Sequence, residues 1–250
     1  MRWRWPYPRF AAHRGAGKVA PENTLAALKL GTSFGYRMVE IDVKLSADGV
    51  AFLLHDSTLQ RTTNGYGRAD ARTWRELALL DAGAWHSDPY AGEPLPTLAA
   101  VASFCRANHV LINIEIKSPM GRERETGAAV AIDAATLWQG ADVPPLLSSF
   151  SEVSLAAARE AVPELPRALL ADRLPVRWRK RCEALECVAL DLKHTAIKQK
   201  LVDTVHAAGY SLLSWTVNDP KRAARLVGWG VDTVITDAVD LIAPEFEAST

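Results

Sequence analysis

Nine short apolar runs punctuate the chain, and all but one of the gaps between them are long enough to hold a helix. The runs are RFAAH (9–13), MVEIDVK (38–44), VAFLLH (50–55), VLINIEIK (110–117), PLLSSF (145–150), RALLA (167–171), CVALDL (187–192), SLLSWTV (211–217) and DTVITD (232–237). Their lengths and their Val, Ile and Leu content predict buried strands. The stretches between them predict helices over 21–34, 97–108, 124–138, 151–161, 175–184, 195–208 and 219–228, with a last one over 239–246. The short gap is Leu45-Ser46-Ala47-Asp48-Gly49. A parallel crossover takes a dozen or more residues, whereas a five-residue link ending in Asp-Gly makes a tight reversal. Strand 50–55 is therefore expected to fold back antiparallel on 38–44, outside the main count. Eight strands remain, each followed by a helix, and that alternation calls for a parallel sheet. The expected fold class is α/β, a TIM (β/α)8 barrel. An open doubly wound sheet is the competitor, but no G-x-G-x-x-G follows the first strand.

A chain of 250 residues fits a single barrel domain spanning 1–250. Segment 56–96 breaks the rhythm: it is rich in Asp, Arg, Gly, Thr and Pro, with helical residues only around 73–80. It reads as an insertion after the second strand. Leaving from that strand's C-terminal end, it is expected to overhang the active face. Lys plus Arg and Asp plus Glu each total 29, so no net charge is available to hold nucleic acid or an anionic membrane. Anion recognition has to be local. Cys105, Cys182 and Cys187 are too few for a disulfide framework and lack the neighbours of a zinc site. No run approaches the ~20 apolar residues of a membrane span, and no apolar stretch follows the basic, aromatic MRWRWPYPRF. These features predict a soluble, cytoplasmic protein without stable membrane association. Trp3 and Trp5 are expected to pack the tail onto the domain. Oligomeric state is left open.

The strands carry polar residues where a core would not want them. Glu40 and Asp42 interrupt the second run, and Glu115 and Lys117 the run at 110–117. Each pair has i,i+2 spacing, so its members point to one side of their strand. In a barrel both pairs project into one cup, where carboxylates repel unless partnered. One divalent cation resolves the repulsion, and the all-oxygen set Glu40, Asp42 and Glu115 suits Mg²⁺ or Ca²⁺. His13 and His55 flank this cluster in sequence and fit a general acid and a general base. Arg14 and Lys117 supply positive charge for phosphate recognition. In AHRGAGKVAPENT, Gly15 and Gly17 are expected to let backbone approach a ligand closely, Pro21 to open a helix, and Thr24 to cap it. Trp215 either stands at the barrel mouth against substrate carbons or faces a surrounding helix, and Phe150 is a similar case. Asp237 is expected to cap the following helix.

Taken together, AHRG…PENT, EIDVKLSADG, HDSTLQRTTNG, NIEIK, LSSF, SWTVND and GVDTVITD resemble, in order and spacing, the glycerophosphodiester phosphodiesterase family from about Phe10 to Asp237. The resemblance implies a TIM barrel with an inserted segment that hydrolyses glycerophosphodiesters to sn-glycerol 3-phosphate and an alcohol such as choline or ethanolamine. It implies His13 and His55 as the catalytic pair, Glu40, Asp42 and Glu115 as metal ligands, and Arg14 and Lys117 near phosphate. Ser46 stands where the family often has Thr, and DTVITD where DGIITD is common; neither touches the implied site. The short insertion suits a small, soluble diester. The competing readings are a lysophospholipase D-type enzyme acting on a lipid, for which an apolar patch around the barrel mouth would speak, a catalytically silent barrel that only binds, and an unrelated barrel phosphatase.

Overall fold

The computed structural model describes residues 3–244. In chain order its elements are β1 (Phe10–His13), α1 (Leu25–Ser33), β2 (Met38–Leu45), β3 (Ala51–Leu53), α2 (Trp74–Leu77), α3 (Leu98–Ala107), β4 (Leu111–Ile116), α4 (Glu123–Leu137), β5 (Leu146–Ser149), α5 (Glu152–Ala161), β6 (Arg167–Ala171), α6 (Trp178–Leu185), β7 (Ala189–Lys193), α7 (Gln199–Ala207), β8 (Ser211–Trp215), α8 (Pro220–Gly228) and β9 (Thr233–Thr236). Strand order is β1-β9-β8-β7-β6-β5-β4-β2, and β1 pairs with β2 to close the ring. All of these pairings are parallel, as a barrel of strand-helix units requires. The extra strand β3 lies antiparallel on β2, with Val43 opposite Leu53 and Leu45 opposite Ala51. It takes over the edge of β2 where β1 stops, since β1 reaches only to the His13–Glu40 register.

Alternation sorts the strand residues into two shells. On β2, Val39, Ile41, Val43 and Leu45 join the main core, packed with the residues of the helix ring. Met38 faces inward instead, into a small cluster with Ala11, Leu146, Ala168, Ala189, Leu213 and Ile235. Tyr7, Trp3 and Trp5 plug this inner cluster. The Tyr7 hydroxyl donates to the Pro144 carbonyl at 2.8 Å and the Trp5 indole N–H to Thr233 Oγ1 at 3.0 Å, so the aromatic tail packs onto the domain. All eight residues of β2 are buried, which is why polar residues there need partners.

The segment between β3 and α3 has its own small core of Phe52, Leu54, Leu59, Ala69, Leu77, Ala82 and Leu95. Several helices start later than expected, α6 at Trp178 and not at 175, α7 at Gln199 and not at 195. α1 begins at Leu25, not at 21: Thr24 is the N-cap, accepting from the Ala27 N–H at 3.2 Å, while Asn23 is left-handed at φ 59°. A residue held there cannot continue a helix backward. The expected helix over 239–246 is absent among the described residues, where 239–244 form turns; 245 and 246 lie outside them. Among the described residues no helix is long and apolar enough to cross a membrane.

Candidate active site

The inward residues of β2 and β4 meet at the strands' C-terminal halves. Asp42 stands in register with Glu115 and Glu40 with Asn113, while His13 of β1 is in register with Glu40. Glu40, Asp42 and Glu115 are buried, and each offers a carboxylate oxygen within 4.8 Å of the others. A cavity of about 210 Å³ opens over them, lined by His13, Glu40, His55, Glu115, Lys117, Phe150, Leu170, Asp191, Trp215 and Ile235. Positions on or just after β1, β2, β3, β4, β5 and β8 thus bring seven of the nine residues singled out in the sequence to this one cavity. The other two, Asp42 and Arg14, stand directly beside it.

Each histidine has a carboxylate on the same nitrogen. His13 Nδ1 lies 2.5 Å from Asp237 Oδ1, and His55 Nδ1 lies 2.7 Å from Asp56 Oδ1. An acceptor at Nδ1 holds the proton there and leaves Nε2 free. His13 Nε2 is 3.7 Å from Glu40 Oε2, so that free nitrogen faces the carboxylate cluster. Both carboxylates are themselves anchored. Asn218 donates to Asp237 Oδ2 and accepts from the Asp237 N–H, each at 2.9 Å. Arg61 bridges Asp56 to Glu22, which in turn accepts from Arg14. Asp237 is thus a partner of His13 and not a helix cap, and sequence reasoning passed over Asp56 and Asn218, the partners of His55 and Asp237. The only sequence signal was their place at strand ends.

Arg14 sits in the left-handed region at φ 51°. Its N–H donates to Glu40 Oε2 at 3.2 Å, and its guanidinium reaches Asp42 at 3.1 Å and Glu22 at 2.8 Å. Asn23 clamps Asp42 from the other side: its amide donates to Oδ2 at 2.8 Å and accepts from the Asp42 N–H at 3.0 Å. The strained Asn23 of PENT therefore serves Asp42. Lys117 pairs with Glu115 at 2.7 Å and Asp42 at 3.5 Å. The two glycines of the motif approach the chain itself, not a ligand. A Cβ on Gly17 would lie 2.1 Å from Asp237 Cα, and one on Gly15 2.8 Å from Leu28.

The charges show what the cluster lacks. Burial would raise the Asp42 carboxyl, but Arg14 and Lys117 outweigh it and hold the group below the usual range. Burial, then Asp42 and Glu115, push Glu40 well above its usual value. Glu115 rises for the same reasons, burial first and Asp42 next. Two of three carboxyls thus resist ionising side by side. Glu40 Oε1, Asp42 Oδ1 and Glu115 Oε1 are buried without a hydrogen bond, the last two met only by the Lys117 ion pairs. Three convergent, under-satisfied carboxylate oxygens fit a hard divalent cation. At the mouth Phe150 and Trp215 make an edge-to-face pair, 5.5 Å between centroids, and Lys117 lies 5.8 Å over the Phe150 ring. Trp215 therefore faces the cavity and not a surrounding helix.

Residues 13–241 match the Glycerophosphoryl diester phosphodiesterase family. A glycerophosphodiester phosphodiesterase of Caldanaerobacter subterraneus subsp. tengcongensis is 34% identical over 226 residues, 90% of this chain and 92% of that protein. An Oleispira antarctica phosphodiesterase, solved in complex with the product sn-glycerol-3-phosphate, is 36% identical with a TM-score of 0.89, covering 94% of this chain and 95% of that one. A glycerophosphodiester phosphodiesterase of Agrobacterium tumefaciens is 28% identical with a TM-score of 0.77, covering 94% and 99%.

Proposed function

The chain belongs to the glycerophosphoryl diester phosphodiesterase family and is a phosphoric diester hydrolase, and we propose that it is a metal-dependent enzyme for small glycerophosphodiesters, glycerophosphocholine and glycerophosphoethanolamine among them. Its products are then sn-glycerol 3-phosphate and the alcohol. The observation that carries this reading is the pair of histidines, each held at Nδ1 by a carboxylate, lining one cavity with the Glu40–Glu115 cluster. A barrel that only bound its ligand would have no use for two such oriented proton carriers.

Glu40, Asp42 and Glu115 would hold the cation, Mg²⁺ or Ca²⁺, whose role is to offset charge growing on the phosphate oxygens. Arg14 and Lys117 add fixed positive charge beside the same oxygens. One histidine takes the proton of the nucleophile at Nε2, and the other gives a proton to the leaving alkoxide. Asp237 and Asp56 keep each ring in the tautomer and orientation this needs. The nucleophile is either water or the glycerol 2-hydroxyl, the latter through a cyclic phosphate that water opens. Leu170, Ile235, Phe150 and Trp215 give apolar walls for carbon.

The test offers the purified protein glycerophosphocholine, lysophosphatidylcholine and a phosphomonoester with divalent metal, and measures glycerol 3-phosphate, choline and inorganic phosphate. Rapid release from glycerophosphocholine alone supports the reading; preference for the monoester overturns it. A lysophospholipase D-type activity is favoured by one observation. Met120, Phe150 and Val176, in the loops after β4, β5 and β6, are 93%, 45% and 85% exposed and could line the path of an acyl chain. Preference for lysophosphatidylcholine would decide for it.

A further inference from the structure

Asp191 is the charged residue of the cavity that the proposed chemistry leaves unused. It is fully buried in the middle of β7, and it lines the same cavity as His13, His55 and Glu115. Neither carboxyl oxygen has a hydrogen-bond partner among the described residues. Its neighbours in register are Leu170 on β6 and Leu213 on β8, and neither side chain offers a donor. A buried carboxyl left unsatisfied costs stability, and a fold tolerates one where a ligand completes it. Strand order sets β7 on the side of the ring away from β1, β2 and β4, which carry the histidine and metal-binding residues.

We propose that Asp191 is a specificity-determining residue that binds a hydroxyl group of the substrate's glycerol. The proposal rests on the reading of the enzyme as a glycerophosphodiesterase. With phosphate held at the β1–β2–β4 side, the moiety that reaches furthest in meets Asp191 between the apolar Leu170 and Ile235. A glycerol arm matches that surface, carbon against leucine and isoleucine and a hydroxyl against the carboxyl. A choline group does not match it. A trimethylammonium has no N–H to give to either carboxyl oxygen. A glycerol hydroxyl has a donor O–H, and a carboxyl oxygen accepts from it.

The experiment compares glycerophosphocholine with its two analogues in which propane-1,2-diol or propane-1,3-diol replaces glycerol, each lacking one hydroxyl. In the wild type, loss of the hydroxyl that Asp191 holds should lower kcat/KM by at least about tenfold, because a buried polar group is left unpaired. In Asp191→Leu the preference for glycerol over that analogue should shrink to within about threefold, with the loss falling on glycerophosphocholine. Asp191→Asn, which can still donate and accept, should retain a measurable preference. A uniform loss on all three substrates, an undiminished glycerol preference in Asp191→Leu, or a defect confined to choline over other headgroups overturns the proposal. Folding is checked separately, and Asp191→Leu should not lower Tm, since it removes an unsatisfied carboxyl. Calorimetric binding of sn-glycerol 3-phosphate and of propane-1,2-diol 1-phosphate and propane-1,3-diol 1-phosphate to wild type and Asp191→Leu gives the same comparison without turnover. A wild type that cleaves no glycerophosphodiester would therefore overturn the proposed function and still leave Asp191 decided by binding.

Discussion

His13 Nδ1 and Asp237 Oδ1 stand 2.5 Å apart, although 224 residues separate them along the chain. The contact joins the end of the first barrel strand to the residue after the last. It exists because β1 and β9 are parallel neighbours in a closed ring, with Ala12 in register with Thr236. Asp237→Asn keeps the volume but replaces one carboxylate oxygen by a donor, which favours the wrong tautomer of His13. We expect kcat to fall by about 10²–10⁴ with little change in Tm, as for the carboxylate that orients a catalytic histidine elsewhere. Steady-state kinetics beside thermal unfolding check it; a normal kcat would remove Asp237 from the catalytic unit.

The two histidines should act as one device. His13→Ala and His55→Ala should each reduce kcat by about 10²–10⁴, and the double variant by far less than the product. A nitrophenyl diester, whose leaving group needs no proton, should restore only the variant lacking the general acid. That rescue assigns the roles. Near-normal kcat for His55→Ala on a poor leaving group would exclude it from proton transfer.

Metal removal should separate stability from activity. Excess EDTA should abolish turnover, and Mg²⁺ or Ca²⁺ should restore it and raise Tm by mass action. Glu115→Gln relieves repulsion in the cluster, so the metal-free variant should melt higher than the metal-free wild type while losing the metal-induced rise. Full activity after prolonged dialysis against chelator would refute the assignment of the cluster.

His55 should impose an acid limit. Burial, ahead of the charges of Arg14 and Lys117, holds its pKa below the ordinary 6.5 against the pull of Asp42 and Asp56. The folded chain then binds fewer protons at this site than the unfolded chain. Its contribution is undiminished above pH 6.5 and is lost as pH falls through the depressed folded value. Glu40 and Glu115, both raised, slope the other way over part of this range in the absence of metal. Urea unfolding of wild type and His55→Gln between about pH 5 and 7.5, both in EDTA, isolates the histidine: the wild type should lose more stability toward acid. A pH-independent difference between the two would contradict the assignment.

Gly17→Ala should damage the site through the backbone. Gly17 has φ 58°, and an added Cβ would overlap the Asp237 backbone at 2.1 Å from Cα and 2.2 Å from the carbonyl oxygen. Relief of the overlap moves Asp237 away from His13. A stability loss of about 2 kcal/mol or more is expected, with a fall in kcat out of proportion to KM. Wild-type kinetics would mean that Asp237 follows the shift without consequence.

What the sequence determined was local and periodic. Both-face burial wrote each barrel strand as a continuous apolar run, and the five-residue link 45–49 was too short for anything but the hairpin formed by β2 and β3. The period of two marked Glu40 with Asp42, and Glu115 with Lys117, as inward pairs, because charge inside such a run has no other explanation. What only the tertiary structure decided were the relations between distant ends. Asp237 read as a helix cap until ring closure put it on His13. Asn23 fell inside the expected helix 21–34 until its left-handed backbone turned its amide onto Asp42. Gly17 read as a ligand-facing glycine until the Asp237 backbone, just past β9, filled the space beside it. Asp191 was unremarkable within CVALDL until the barrel left it facing the cavity without a partner. Periodicity gives the side of a strand on which a residue lies. Its partner there is set by the closure and stagger of the ring, which no stretch of a few residues encodes.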